Sequence, residues 1–148
     1  MPIKPSSLHE NYGRVNTTQQ DALLKEGGII FSFRYLDLNH KKFNYNDTNV
    51  VYFHKLIERL RDVSQIRVKE IGAKGKTLRC HPIDWNDTTE TCFGIPNEEE
   101  IVNDGGFQFA ISSNAHGRIH GFFIGNIFCV VWLDPYHKLY KKQKRSSM

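Results

Sequence analysis

The pair Gly125-Asn126 stands between two apolar runs, Arg118 to Ile124 and Ile127 to Leu133, and no other feature constrains the fold so tightly. A two-residue loop with glycine first is a hairpin signal, because glycine takes the left-handed backbone at no steric cost. Closed that way, Ile124 faces Ile127, and counting outward pairs Phe122 with Cys129, His120 with Val131 and Arg118 with Leu133. Those pairs share one face. The other face receives Phe123 with Phe128, Gly121 with Val130 and Ile119 with Trp132, an apolar set suited to a core. Arg118 and His120 are therefore expected together on the exposed side of the sheet, with His116 at the same parity.

Phe107, Phe109 and Ile111 alternate just upstream, and Ser112-Ser113-Asn114 supplies a turn, so the C-terminal third reads as a three-stranded antiparallel meander. Farther back, Ile29, Phe31, Phe33 and Tyr35 alternate with Ser32 and Arg34, the period of a strand over Ile29 to Leu36. Between these segments Val50, Phe53, Leu56, Ile57, Leu60 and Val63 recur at three- and four-residue steps, with Lys55, Glu58, Arg59, Arg61 and Asp62 opposite. That spacing predicts an amphipathic helix over Val50 to Ser64, capped by Asp47 or Thr48, with His54 at the edge of its buried stripe. The expected fold class is α+β: an antiparallel sheet whose C-terminal three-stranded meander packs against one main amphipathic helix.

The remaining segments are less periodic. Residues 1–28 read as a flexible arm holding at most a short helix near Thr18 to Glu26. A single domain is expected over residues 29–140. Within it, Ile66 to Ile71 and Thr77 to Ile83 are candidate strands around the turn Gly72-Ala73-Lys74-Gly75-Lys76, which lacks phosphate-loop spacing. Residues 84–106 are acidic and poorly periodic, an expected insertion with a short helix opening at Asn97-Glu98-Glu99-Glu100.

With 148 residues, 39% of them hydrophobic, the chain is long enough to close a core without disulfides. Its apolar runs fall far short of the roughly 20 residues of a spanning helix, so no membrane partner is expected. Cys80, Cys92 and Cys129 are an odd count without paired spacing, and the first residues lack the pattern of a secretory signal, which suits a cytoplasmic protein. Cys80, His81 and Cys92 also lack zinc-module spacing, so neither a metal nor any other cofactor is expected. The Asn-x-Thr triplets at Asn16, Asn46 and Asn86 are read as turn and cap chemistry.

The formal charge of +4 is concentrated at one end. Leaving out Lys138, Lys141, Lys142, Lys144 and Arg145 turns it to −1, and no acid follows Asp134. Residues 141–148 thus form a basic tail, and these five side chains are candidate nucleic-acid contacts, since each neutralised phosphate releases counterions. The competing reading is a solvated, solubilising end.

The order strand, amphipathic helix, terminal meander, with Gly117-Arg118-Ile119-His120-Gly121-Phe122-Phe123 on the middle strand and His137-Lys138-Leu139-Tyr140 after the last, resembles the RelE/ParE-like toxin superfamily. The resemblance, to the RelE- and YoeB-type messenger-RNA endonucleases, covers Ile29 to Tyr140. It implies metal-independent RNA cleavage by attack of the 2′-OH on the adjacent phosphate, with RNA or the ribosome and an antitoxin-like protein as partners. Arg118, His137 and Tyr140 are the positions it matches, while His120 joins them from hairpin register alone. Histidine suits proton transfer near neutrality, Arg118 suits phosphate oxygens, and Tyr140 suits base stacking or a proton relay. Two other readings stay open: a catalytically silent protein- or nucleic-acid-binding module on the same fold, phage- or plasmid-linked, and a metabolic enzyme with a small-molecule pocket.

Overall fold

The computed structural model describes residues 13–25, 27–113 and 115–142. Lys144, Arg145 and the first part of the expected N-terminal arm lie outside the described residues. The fold is α+β. Its elements are α1 (Thr17–Lys25), β1 (Ile30–Ser32), α2 (Val50–Ser64), a 3-10 helix (Val68–Lys74) and the short α3 (Gly75–Leu78). There follow β2 (His81–Pro82), a second 3-10 helix (Trp85–Asp87), α4 (Glu98–Ile101), β3 (Phe107–Ala110), β4 (Arg118–Ile124) and β5 (Ile127–Asp134). The candidate strands at Ile66 to Ile71 and Thr77 to Ile83 are thus replaced largely by short helices, leaving only His81–Pro82 extended. Among the described residues no helix is long and apolar enough to cross a membrane.

The strands form one five-stranded sheet in the order β1-β5-β4-β3-β2. The meander β3-β4-β5 is antiparallel, but β1 joins β5 in parallel, so the sheet is mixed rather than wholly antiparallel. The Gly125-Asn126 turn closes as its composition implies, with Gly125 at φ 58° and Ile124 opposite Ile127.

The register holds as far as Gly121 opposite Val130 and then shifts. His120 faces Trp132 instead of Val131, Ile119 faces Leu133, and Arg118 faces Asp134. Val131 is the extra residue of a β-bulge, and it reverses the inside-outside parity of β5 beyond it, while β4 keeps its own. Gly121 is required at this point because a Cβ there would run into the Cys129 carbonyl.

Both faces of the sheet are buried, which overturns the expectation of an exposed face. On one side Ile29, Tyr52, Leu56, Val63, Phe109, Ile119, Phe128, Val130 and Leu133 form a core under α2. On the other side Phe43, Ile83, Phe93, Phe122, Cys129, Val131, Trp132 and Leu139 form a second. Ile83 and Phe93, with the partly buried Trp85, Ile95, Ile101 and Val102, bring the acidic 84–106 stretch over this second face as its cover.

Helix α2 spans the residues its periodicity implies, but Asn49 rather than Asp47 or Thr48 caps it, accepting from the Tyr52 N–H at 3.2 Å. Its packed stripe is also rotated. Tyr52, Leu56 and Val63 are buried, whereas Val50, Phe53 and Ile57 are exposed. Arg59, expected on the solvent side, donates to the Ile111 carbonyl at 2.8 Å. His54 is exposed and pairs with Glu58 at 3.8 Å.

Candidate functional site

The bulge draws chemistry to one end of the sheet. Across four strands His81, Gln108, His120 and Trp132 are successive register partners, and Arg118 pairs with Asp134 at the start of β4 and the end of β5. Gly117, at φ 72°, permits this approach, since a Cβ there would strike the backbone of Asp134 and Pro135.

His120 does not project into solvent. It is fully buried beside Phe43 and Trp132, with ring centroids 6.0 Å and 6.3 Å away. Its Nε2 lies 3.1 Å from Asp134 Oδ2, and Asp134 is 1% exposed. The carboxylate accepts, so His120 carries its proton on Nε2 and its Nδ1 is left as a buried acceptor without a partner. Burial holds His120 below its ordinary pKa against the attraction of Asp134, leaving the ring neutral. Burial alone would raise Asp134. The bonds from His120 and from the backbone N–H groups of Lys138 and Leu139 together outweigh it and keep the carboxylate ionised.

Those backbone bonds, at 2.8 Å and 3.0 Å, shape the segment after β5. They fold the chain back on Asp134, seat Leu139 in the core at 0% exposure and leave His137 outside with φ 56°. His120 thus acts on the site through Asp134, and Asp134 through the loop that carries His137.

Arg118 is half-buried, and its guanidinium donates to the Gly117 carbonyl at 3.1 Å. Burial and the neighbouring Arg79 push its pKa down, against Asp134. His137 is lowered by burial and then by Arg118, with Arg79 adding to the effect, so it stands neutral near pH 7. Arg118 and Arg79 thus both act by charge on His137, and Arg79 on Arg118. Among the described residues neither arginine forms an ion pair, and Asp134, whose charge acts on Arg118 and His137, is already engaged by His120. Like charges gathered without a counter-charge repel, and an anion entering between them relieves that repulsion.

Beside this cluster runs an open groove of roughly 600 Å³. His137 and Tyr140 line it, with Lys138, Lys141 and Lys142 from the C-terminal segment and Lys41 and Lys42 from the loop before α2. Of these lysines only Lys42 forms an ion pair among the described residues, with Glu90 at 3.6 Å. Tyr140 receives a hydrogen bond from the Asp84 N–H at 3.2 Å and sets its ring against His81, 5.7 Å between centroids.

The site residues named from sequence thus divide. His137 and Tyr140 line the groove with Lys138, Lys141 and Lys142, Arg118 acts on His137 by charge but does not line it, and His120 is buried in the sheet. Arg79, His81, Lys41 and Lys42 are additions that sequence reasoning missed. Arg79 stands at φ 48° after α3, and neither its conformation nor its neighbours carry a local signal. Among the described residues no group of three or more His, Cys, Asp or Glu is placed to hold a metal ion. Comparison with known proteins finds no matching family model, no similar curated protein and no similar solved structure.

Proposed function

We propose that this chain is a toxin-like endoribonuclease on a RelE-like fold, cleaving RNA by attack of a 2′-OH on the adjacent phosphodiester. The observation that carries the reading is a groove lined by His137, Tyr140 and five lysines, in which His137 also feels the charges of Arg118 and Arg79. The reaction asks for a proton acceptor, cations around a phosphorane and a surface that holds the strand. His137, exposed and unprotonated, suits the acceptor; Arg118 suits the phosphorane, where its contact strengthens as charge accumulates. Tyr140 supplies a flat face for a base, and the lysines track the backbone without reading sequence.

The chemistry leaves a 2′,3′-cyclic phosphate on one fragment and a 5′-hydroxyl on the other. Incubating the purified chain with total RNA and with translating ribosomes, then mapping and chemically typing the new ends, tests it. Ends of that type support the reading; 3′-hydroxyl and 5′-phosphate ends would point to different chemistry.

One observation favours the silent binding module instead. His120, one of the four residues expected at the site, is sealed from the groove and bonded to Asp134. On that reading the groove captures RNA without cutting it, and RNA binding persists with no new ends. An antitoxin-like partner belongs to the proposed reading through the resemblance alone.

A further inference from the structure

Residues 84–106, the cover of the second core, carry seven Asp and Glu and no Lys, Arg or His. Two of these carboxylates are engaged within the fold. Glu98 accepts from the backbone N–H groups of Phe93, Gly94 and Ile95, and Glu90 pairs with His40 and Lys42. Glu99, Glu100 and Asp104 form no ion pair among the described residues.

A pocket opens beside these three. Strand β4 runs past the start of β3: Phe107 stands opposite Gly121, so Phe122 to Ile124 lie beyond that pairing. At this end of the sheet Phe107, Phe122, Phe123, Val102, Pro82 and Asp104 line a pocket of about 290 Å³ that shares no residue with the lysine-lined groove. Phe107 and Phe123 are both half-buried and meet edge to face, 5.5 Å between centroids. Asp104 is exposed, and Val102 also lines the adjoining cleft of Glu99 and Glu100. The walls are thus apolar and aromatic, and the charge around them is negative.

We propose that this pocket takes the side chain of an arginine presented by a basic segment of a partner polypeptide, its stem against Val102 and the phenylalanines and its guanidinium on Asp104. A complementary ligand must join an apolar stem to a positive head. A guanidinium is planar and weakly hydrated, stacks on aromatic rings and offers paired donors to a carboxylate, whereas an ammonium holds its water more strongly. The volume lies at the lower edge of small-molecule pockets, roughly 300–1,000 Å³, and suits a single side chain. Further cations on the same segment would meet Glu99 and Glu100, and the field that attracts them repels a phosphate backbone. Partner and RNA therefore use different surfaces, and the inference is independent of the ribonuclease reading.

The test uses the full chain at low salt and a short capped peptide holding one arginine beside lysines. Counterparts replace that arginine with lysine or with citrulline, which keeps the shape and drops the charge. The ring signals of Phe107, Phe122 and Phe123 in nuclear magnetic resonance should shift saturably with the arginine peptide. The citrulline peptide, or Asp104→Asn in the protein, should weaken binding by about tenfold. Asp87→Asn, a carboxylate of the same cover outside the pocket, should change it by less than about twofold. Ring signals that stay unmoved overturn the inference, as does equal binding of the citrulline or the lysine peptide. Methylguanidinium binding as tightly as the arginine peptide would make this a small-cation site and overturn the polypeptide partner.

Discussion

Asp134, the last residue of β5, accepts from His120 Nε2 at 3.1 Å and from the backbone N–H groups of Lys138 and Leu139, so one buried carboxylate joins the sheet to the segment bearing His137. Removing the carboxylate leaves the His120 Nε2–H and the Lys138 and Leu139 backbone N–H groups without their acceptor. Asp134→Ala should cost at least about 1–3 kcal/mol in chemical denaturation. A loss under about 1 kcal/mol would mean the pair does not hold this end of the sheet.

The same pair gives stability a pH dependence. Unfolded, His120 takes up a proton near its ordinary value of 6.5; folded, it does so only at lower pH. Stability is therefore full above pH 6.5 and is lost as pH falls below it, and the lowered His137 adds the same sign. Asp134, held below its ordinary 3.8, adds a further loss only in stronger acid. Melting temperature measured from pH 8 to pH 5 should fall steadily below 6.5. A flat profile would show that the buried ring protonates as easily folded as unfolded.

The rotated stripe of α2 separates neighbouring leucine and isoleucine. Leu56 is 6% exposed and Ile57 63%. Leu56→Ala should destabilise by about 2–5 kcal/mol, and Ile57→Ala by no more than about 0.5 kcal/mol. Equal losses would contradict the orientation of the helix.

How much of this was legible follows physical lines. The limits of α2 and the Gly125-Asn126 turn are local, and spacing or one glycine's conformational freedom specifies them. The rotation of α2 is not, because Val50-Phe53-Ile57 and Tyr52-Leu56-Val63 are both apolar stripes and only the sheet chooses between them. The bulge at His120 and Gly121 is likewise invisible to alternation counting, which carries parity unbroken through Val131. That single extra residue sends Trp132 to the side of His120 and moves Arg118 opposite Asp134. The lower part of the site was legible through the terminal His137, Lys138 and Tyr140; Arg79 and His81 come from a segment whose pairing with β3 no local pattern announces.

Gly117 allows β4 to begin against Asp134 and Pro135. Gly117→Ala should cost at least about 1–2 kcal/mol from its left-handed backbone alone, with the collision added. Gly72→Ala, which meets nothing within 4 Å, serves as the neutral comparison. Similar stabilities for the two variants would show that the approach is not tight.

The groove predicts how RNA binding responds to salt. Each lysine that neutralises a phosphate of a single strand adds about 0.7 to the slope of log affinity against log salt. Combining Lys42→Ala with Lys141→Ala should lower that slope by about 1.4 if both touch phosphate. An unchanged slope would place the RNA elsewhere.

The central claim is that Arg118 and His137 act together on one scissile phosphate. It is tested most directly by counting new RNA ends made by the wild type, Arg118→Ala and His137→Ala, with and without translating ribosomes. The account predicts ends bearing 2′,3′-cyclic phosphate from the wild type and a loss of about 10²- to 10³-fold with Arg118→Ala, whose fold stays intact. It also predicts that His137→Ala removes the pH dependence of the residual rate near neutrality. Cleavage equal in all three proteins, or none by the wild type in either setting, would contradict it.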